Sequence, residues 1–296
     1  MKRMRRFLLV GLCFLYVLKG AYGQEVLLGA TSGAVGSLYN INPSNGVATP
    51  IGFLTDGIGN PFGITGMAFD PLTGLLYGST SNNSFTDKQS LVSIDPNSGM
   101  VTFIGFFGVG TTMADLTFDT TTSTLFGTGA LNGNLYTVNP ATGVATLVGD
   151  AGFAPLSTVG NGLAATAGGQ LFGSPQGSSG PLVLFNKSNG SVTTVATLSG
   201  APFPTGAIGA MAFNAAGTLF GVNIDQSIPT SRLADLVTID TETGAVTNVG
   251  ATGVNNLDAI VFFNPTAVPE PTTTVLFGTG LIFLGVRRYR HQSSAT

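Results

Sequence analysis

Apolar and polar residues alternate along short segments of the chain, and each such segment is followed by a turn and a second, β-branched segment. Val92 and Ile94, for example, alternate with Ser93 and Asp95. A period of two residues is typical of a half-buried β-strand, and a glycine at the end of the turn supplies the positive φ that a longer hairpin loop needs. The pattern therefore predicts a β-hairpin. It occurs five times, over residues 38–52, 91–105, 135–149, 182–197 and 236–250.

A second hairpin lies between successive copies of the first. It ends in a leucine, an aromatic residue and a glycine, and it covers residues 66–78, 114–127, 162–173 and 209–221. Two hairpins give four strands per unit. The turn glycines of the first hairpin recur every 44 to 54 residues, at Gly46, Gly99, Gly143, Gly190 and Gly244. A four-stranded repeat of this length has the size of one β-propeller blade, so we predict an all-β propeller.

The two ends of the repeat region are out of phase with the repeat. Residues 26–29 match the second strand of the Leu-aromatic-Gly hairpin with no first strand before them, and residues 259–265 match that first strand. The two ends are therefore predicted to share one blade, and ring closure by the C-terminal strand removes an exposed sheet edge. We predict five four-stranded blades. A β-sandwich and an open β-solenoid are the alternatives, and neither explains the phase of the two ends.

The propeller prediction sorts the strand connections into two faces. The short glycine turns form the turn face, where Asp95 and Asp240 are expected to bond their own backbone. The longer connections form the loop face, and binding residues usually lie on such loops. Because hard cations take carboxylate and backbone oxygens, acids of the loop face are candidate calcium ligands. These are Asp56, Asp115, Asp150 and Asp258. The alternative is that they are solvated acids without a ligand.

Residues that catalysis commonly needs are scarce in the repeat region. The single histidine is His291 and the single cysteine is Cys13, so residues 24–265 contain neither. This removes the commonest general base, a thiolate nucleophile, disulfides and cysteine-based metal sites. The chain also has no tryptophan, which disfavours a sugar-stacking cleft. We therefore predict no enzyme activity and no cofactor apart from the candidate calcium.

Charge is distributed unevenly along the chain. Residues 24–265 carry three basic and thirteen acidic side chains, a net charge of −10, although the formal net charge of the full chain is −3. Phosphate binding needs clusters of lysine and arginine. The acidic repeat region therefore argues against nucleic acid as a partner.

The first 23 residues have the features of a secretory signal peptide. A basic start precedes an apolar run over residues 7–18, and the segment ends in a small-x-small pattern with Ala21 and Gly23. We predict cleavage after Gly23, so that Gln24 is the first mature residue. An uncleaved N-terminal anchor is the alternative.

The last thirty residues combine a proline-bracketed acid, an apolar segment and a basic stop. These parts are Val268, Pro269, Glu270 and Pro271, then residues 272–286, then Arg287 and Arg288. A helix over residues 272–286 would span about 22 Å at about 1.5 Å per residue, against roughly 30 Å of hydrocarbon core. A transient sorting segment suits this length better than the alternative, a permanent anchor. The predicted regions are thus a signal peptide (1–23), a repeat domain (24–265) and a segment with an apolar helix (266–296).

The order of these C-terminal parts closely resembles the PEP-CTERM sorting signal of Gram-negative bacteria. The resemblance covers about 25 residues. It implies processing by an exosortase, an inner-membrane enzyme, with Pro269, Glu270 and Pro271 as the recognised residues. It also implies a membrane-anchored C-terminus before processing and a cell-surface or extracellular-matrix location afterwards, in bacteria that make exopolysaccharide and biofilm.

These observations together predict an exported surface or matrix protein. Its propeller would be a non-catalytic binding or scaffold module, with exopolysaccharide or another surface protein as the partner. The alternative is a propeller hydrolase, calcium-dependent or metal-independent, that uses acidic loop-face residues.

Overall fold

The computed structural model describes residues 25–152, 161–175, 177–227 and 232–264. All regular structure in these residues is β: twenty strands form five four-stranded antiparallel sheets, which confirms the predicted class and blade count. The described part of the chain holds no helix with the length and hydropathy of a membrane span. The predicted signal peptide, the predicted C-terminal helix and both domain boundaries lie outside the described residues and stay predictions.

Each blade contributes one strand to each of four positions, counted from the ring axis outwards. The innermost strands are β4 (Ile64–Asp70), β8 (Met113–Asp119), β12 (Gly162–Ala165), β16 (Ala207–Phe213) and β20 (Leu257–Phe263). The second strands are β1 (Val26–Thr31), β5 (Leu75–Thr80), β9 (Thr124–Gly129), β13 (Leu171–Ser174) and β17 (Leu219–Ile224). The third strands are β2 (Ser37–Ile41), β6 (Ser90–Ile94), β10 (Leu135–Val138), β14 (Pro181–Phe185) and β18 (Leu233–Ile239). The outermost strands are β3 (Ala48–Phe53), β7 (Val101–Phe106), β11 (Ala145–Gly149), β15 (Val192–Thr197) and β19 (Val246–Asn255).

The ring closes through the blade that both ends of the described chain share. Strand β20 pairs antiparallel with β1, so that Val26 lies opposite Phe263 and Gly29 opposite Ile260. The innermost strands contact one another in the order β20, β4, β8, β12, β16 and back to β20. The predicted closure by the C-terminal strand is therefore confirmed.

The hydrophobic core lies between the blades. Leu28 of β1 and Met67 of β4, for example, are both almost fully buried and belong to one apolar cluster that spans two blades. Similar clusters of buried side chains occur further around the ring. Because alternate residues of a strand point to opposite faces, each blade packs against both of its neighbours. Burial of these side chains is the main force that holds the ring together.

Close backbone packing between glycines joins the outer parts of neighbouring blades. A Cβ placed on Gly105, at the end of β7, would lie 2.0 Å from the carbonyl oxygen of Thr142 in the next blade's turn. A Cβ on Gly143 would likewise lie 2.3 Å from the carbonyl oxygen of Gly105. The same contact joins Gly149 with Gly190. The glycine that ends most copies of the first hairpin therefore serves packing between blades.

An ion pair joins two blades on the turn face. Lys187 Nζ lies 2.6 Å from Asp119 Oδ2, linking the β14–β15 turn to the end of β8. Burial raises the pKa of Asp119, but the Lys187 ammonium and the hydroxyls of Thr121 and Thr122 outweigh it and lower the pKa to about 2. The pair therefore stabilises the ring where Asp119 is ionised.

Candidate functional site

Irregularities in four innermost strands occur at the loop-face end of the ring channel. The pairing register shifts between Ile64 and Gly66, between Met113 and Asp115, and between Ile208 and Ala210. In the shared blade, Ala30 pairs with Ala259 and Thr31 with Leu257. Each shift leaves one extra residue on the innermost strand. The four extra residues are Thr65, Ala114, Gly209 and Asp258. A bulge of this kind re-aims the extra residue, here at the end of the channel.

Asp115 crosses the channel from β8 and binds the backbone of two further blades. Its carboxylate accepts hydrogen bonds from the N–H groups of Leu116 (2.9 Å), Leu163 (2.9 Å) and Met211 (3.0 Å). The residue is fully buried. Burial raises the pKa of Asp115 well above its usual range, the three N–H groups oppose the shift, and the nearby Asp258 adds to it. The expectation that Asp115 lies on the loop face was wrong, because the residue belongs to an innermost strand.

A polar cavity of about 490 Å³ occupies the loop-face end of the channel; we call it the loop-face cavity. The connections of several blades and two bulge residues line it, and all but three of the lining residues have polar side chains. They are Ser32, Gly33, Thr65, Ser81, Asn82, Asn83, Thr112, Ala130, Leu131, Arg232, Asn256 and Asp258. The volume is within the usual range for small-molecule sites, which is about 300–1,000 Å³.

Asp258 carries the acidic group of the loop-face cavity. Its Oδ2 accepts a hydrogen bond from the Ser32 hydroxyl. Burial raises the pKa of Asp258 to about 6, and the Ser32 hydrogen bond and the Arg232 charge oppose the shift. A carboxyl group with a raised pKa in a cavity is a typical feature of functional sites. Asp258 was expected on a loop, but it lies in β20 at a bulge that directs it into the channel.

Asn256 holds two sides of this cavity together through its backbone. Its N–H donates to the carbonyl of Arg232 at 2.9 Å, and its carbonyl accepts from the N–H of Ser32 at 3.0 Å. Its φ of 55° is in the left-handed region, which asparagine tolerates better than most residues. The turn between β19 and β20 therefore places a hydroxyl, a guanidinium and a carboxylate around one cavity.

The other end of the channel is more apolar. A cavity of about 190 Å³ is lined near the turn face by phenylalanines from four innermost strands, Phe69, Phe118, Phe213 and Phe262. The remaining blade contributes Ala165. Leu116, the residue that follows Asp115 in β8, also lines this cavity. Of the two channel cavities lined by described residues, the more polar one is therefore at the loop-face end.

The other two candidate calcium ligands lie on connections, as expected. Asp56 accepts hydrogen bonds from the N–H groups of Ile58 (3.0 Å) and Asn60 (2.9 Å), and from the Asn60 amide (2.8 Å). Asp150 accepts one from Gly152 N–H at 2.8 Å. Both carboxylates thus stabilise their own loops. Within the described residues, no three His, Cys, Asp or Glu side chains form a metal-binding group.

The turn-face acids have the predicted role. Asp95 accepts hydrogen bonds from Asn97 N–H at 3.0 Å and from the Ser98 hydroxyl at 2.6 Å. Asp240 accepts from the N–H groups of Glu242 and Thr243, both at 2.9 Å. These carboxylates stabilise turns, and the prediction that they are structural is confirmed.

Sequence reasoning missed Ser32 and Asn256 as members of a site. Ser32 follows β1 and Asn256 precedes β20, each in a polar connection of ordinary composition. No local signal in the sequence therefore distinguishes them from other loop residues. Asp115 had a usable signal, because an acid inside an apolar strand segment has to be hydrogen-bonded when buried.

The fold and the channel together define a five-bladed β-propeller whose central channel opens into a polar cavity on the loop face. A chain in a crystal structure of a nidogen/laminin complex has the same fold: the TM-score is 0.53 at 13% identity, over 82% of this chain and 99% of that one. A structural-genomics protein of unknown function from Bacteroides thetaiotaomicron has a TM-score of 0.48 and 17% identity, over 67% of this chain and 53% of that one. TolB from Acinetobacter baumannii has a TM-score of 0.48 and 15% identity, over 80% and 55%. No curated protein sequence matches this chain.

The C-terminal segment is where a known sequence family appears. Residues 267–290 match the PEP-CTERM protein-sorting motif, which confirms the resemblance seen in the sequence. The motif implies that the protein is exported and sorted by an exosortase, with a membrane-anchored C-terminus before processing. The recognised residues Val268, Pro269, Glu270, Pro271, Arg287 and Arg288 lie within the match but outside the described residues, and their individual roles stay predictions.

Proposed function

We propose that this protein acts at the cell surface or in the extracellular matrix as a non-catalytic binding module, and that the loop-face cavity is its binding site. One observation carries the proposal: Asp258 keeps a carboxyl group with a raised pKa in a polar cavity large enough for a small ligand. Burying such a group costs stability unless hydrogen bonds compensate for it. A residue that costs stability at a cavity is more easily explained by ligand binding than by folding.

The sorting motif supports the location, and the loop-face cavity offers a binding site for a partner there. Exopolysaccharide or a second surface protein would meet the loop face, where the connections between strands are longest. Acidic self-repulsion of the repeat region, with its net charge of −10, would keep the exported rings apart from one another.

The absence of histidine and cysteine from residues 24–265 supports a non-catalytic role. The main groups for nucleophilic and general-base catalysis would have to be replaced by carboxylates and hydroxyls. A binding site has no such requirement.

Fractionation of the host culture tests the proposed location and role. Mass spectrometry of the protein from surface, matrix and membrane fractions should find a mature C-terminus near Pro269–Pro271 in the surface or matrix fraction. Asp258→Asn should be exported and processed normally but released more readily by washing. An intact Thr296 in the mature protein would contradict processing, and equal retention of the variant would contradict binding through this cavity.

A hydrolase is the second candidate, and the Ser32–Asp258 hydrogen bond is the observation that favours it. A carboxylate with a pKa of about 6 has the proton affinity of a general base near neutral pH. Saturable turnover in a panel of ester, glycoside and phosphate substrates, lost in both Ser32→Ala and Asp258→Asn, would establish this activity. If no substrate in the panel turns over, the binding role is retained.

A further inference from the structure

We propose that the loop-face cavity binds an uncharged sugar unit, whose neighbouring hydroxyl groups donate to the Asp258 carboxylate and accept from Arg232 and the cavity amides. This inference rests on the proposed function and specifies the ligand class of the same site. The argument depends on the balance of charge, on unused hydrogen-bonding groups and on size.

The balance of charge favours an uncharged ligand. Among the described residues, the charged ones that line the loop-face cavity are Asp258 and Arg232, one of each sign. A ligand with a net charge would gain from one of these groups and be repelled by the other. Asp115, which approaches Asp258 from β8, is the further acid nearby, and its carboxylate is already bound by three backbone N–H groups. An ion such as Ca²⁺ would therefore find one accessible carboxylate and a guanidinium in its way.

The hydrogen-bonding groups match hydroxyls. Asp258 Oδ2 is used by Ser32, whereas Oδ1 points towards β16, where a Cβ on Gly209 would lie 3.4 Å from it. Among the described residues no N–H or O–H group donates a hydrogen bond to Oδ1. The side-chain amides of Asn83 and Asn256 likewise have no hydrogen bond to another described residue. An amide offers donors and an acceptor, a carboxylate only accepts and a guanidinium only donates. A hydroxyl, which both donates and accepts, can pair with all three.

The size of the loop-face cavity suits a sugar ligand. At about 490 Å³ the cavity accommodates one or two sugar rings. None of the described residues that line it is aromatic, so the affinity comes from hydrogen bonds and is expected to be weak. Many copies displayed on a surface would compensate through multivalent binding to a polymer.

Saturation-transfer NMR on the protein purified from its host tests the ligand class. The probes are methyl mannoside, galactoside, glucoside and rhamnoside as neutral sugars, and glucuronate and glucosamine as charged ones. Binding of Ca²⁺ alone, which has no protons to observe, is measured by isothermal titration calorimetry. We expect at least one neutral glycoside to bind, and Asp258→Asn to weaken that binding at least tenfold. Glu242→Gln, which removes the same charge from an exposed residue of the turn face, should leave it unchanged.

Two further readouts separate a contact with ligand from a merely structural role. With a pKa of about 6, about one Asp258 in ten stays ionised at pH 5, so binding should weaken roughly tenfold between pH 7.5 and 5, and Asp258→Asn should lose this dependence. Arg232→Gln should shift the preference towards glucosamine, because the cavity then becomes acidic.

Binding of no neutral glycoside would overturn the inference, as would binding of Ca²⁺ or a charged sugar alone. An equal loss in Glu242→Gln would overturn it too, because the effect would not come from the cavity. The proposed function fails on different observations, namely absence of the protein from the surface and matrix fractions or equal retention of Asp258→Asn in them, so the two failures can be told apart.

Discussion

Replacing Gly105 by alanine tests the close backbone packing between blades. The new Cβ would lie 2.0 Å from the carbonyl oxygen of Thr142 and 2.9 Å from its carbonyl carbon. Real Cβ atoms essentially never approach another heavy atom within 3.0 Å, so strand β7 and the facing turn would have to separate by about 1 Å. The atoms met are backbone atoms, and no side-chain rotation can relieve the overlap.

The expected cost follows from two opposing effects. Overpacking typically costs about 1–3 kcal/mol, and a clash between two backbones belongs at the upper end of that range. Glycine-to-alanine replacement also restricts the unfolded chain, which stabilises the protein by about 0.4–1 kcal/mol. The net loss in the free energy of unfolding is therefore about 2 kcal/mol. For a domain of this size that corresponds to a fall in Tm of about 4–8 °C.

Thermal unfolding followed by circular dichroism measures this difference. Gly57→Ala is the matched control: a Cβ there would meet no atom within 4 Å, and its backbone φ is not in the left-handed region. The control carries the same unfolded-state effect without the clash and should be neutral or slightly stabilising. A Tm for Gly105→Ala equal to or above that of Gly57→Ala would refute the steric reasoning.

Three further predictions concern charged groups. Folding raises the pKa of Asp258 from 3.8 to about 6, so the native state loses stability as pH rises through this range, by at most about 3 kcal/mol. Asp258→Asn should remove this loss, and urea denaturation of both proteins at pH 4 and pH 7.5 would show it. Asp115→Ala leaves two N–H groups of other blades without their acceptor and should lower the free energy of unfolding by about 3 kcal/mol or more. Asp115→Asn keeps an acceptor and should lower it less. Equal losses of stability for the two variants in urea denaturation would contradict this account. The pKa of Asp119 is lowered to about 2, so the stability from its ion pair with Lys187 is present above pH 4 and is lost as pH falls through 2. The difference in Tm between wild type and Lys187→Met should therefore shrink to zero as pH falls over that range. A difference in Tm that does not change with pH would argue against the ion pair.

Much of the fold could be predicted because its signals are local. The alternation around Val92, the turn glycine Gly99 and the apolar residues that follow all lie within one hairpin, where neighbours in sequence are neighbours in space. The repeat region begins with a second strand and ends with a first strand, and this mismatch predicted the long-range pairing between β1 and β20. The packing role of Gly105 was not predicted, since the atom it meets belongs to the next blade.

The candidate site was predicted only in part. The sequence identified Asp258 as an acid near the loop face, but its partners come from distant positions: Ser32 lies 226 residues away along the chain. Alternation also cannot reveal a bulge, because a single extra residue in a strand looks like an ordinary polar position. Two of the three hydrogen-bond donors to Asp115 likewise come from distant strands, β12 and β16.

The sequence alone therefore establishes the five-bladed ring, its closure and the sorting segment, because each of these depends on short-range patterns or on their order along the chain. The loop-face cavity, the hydrogen bonds of Asp115 to two other blades and the raised pKa of Asp258 exist only once the ring has closed. Closure brings side chains of different blades into one channel, and burial there changes their hydrogen-bond partners and proton affinities.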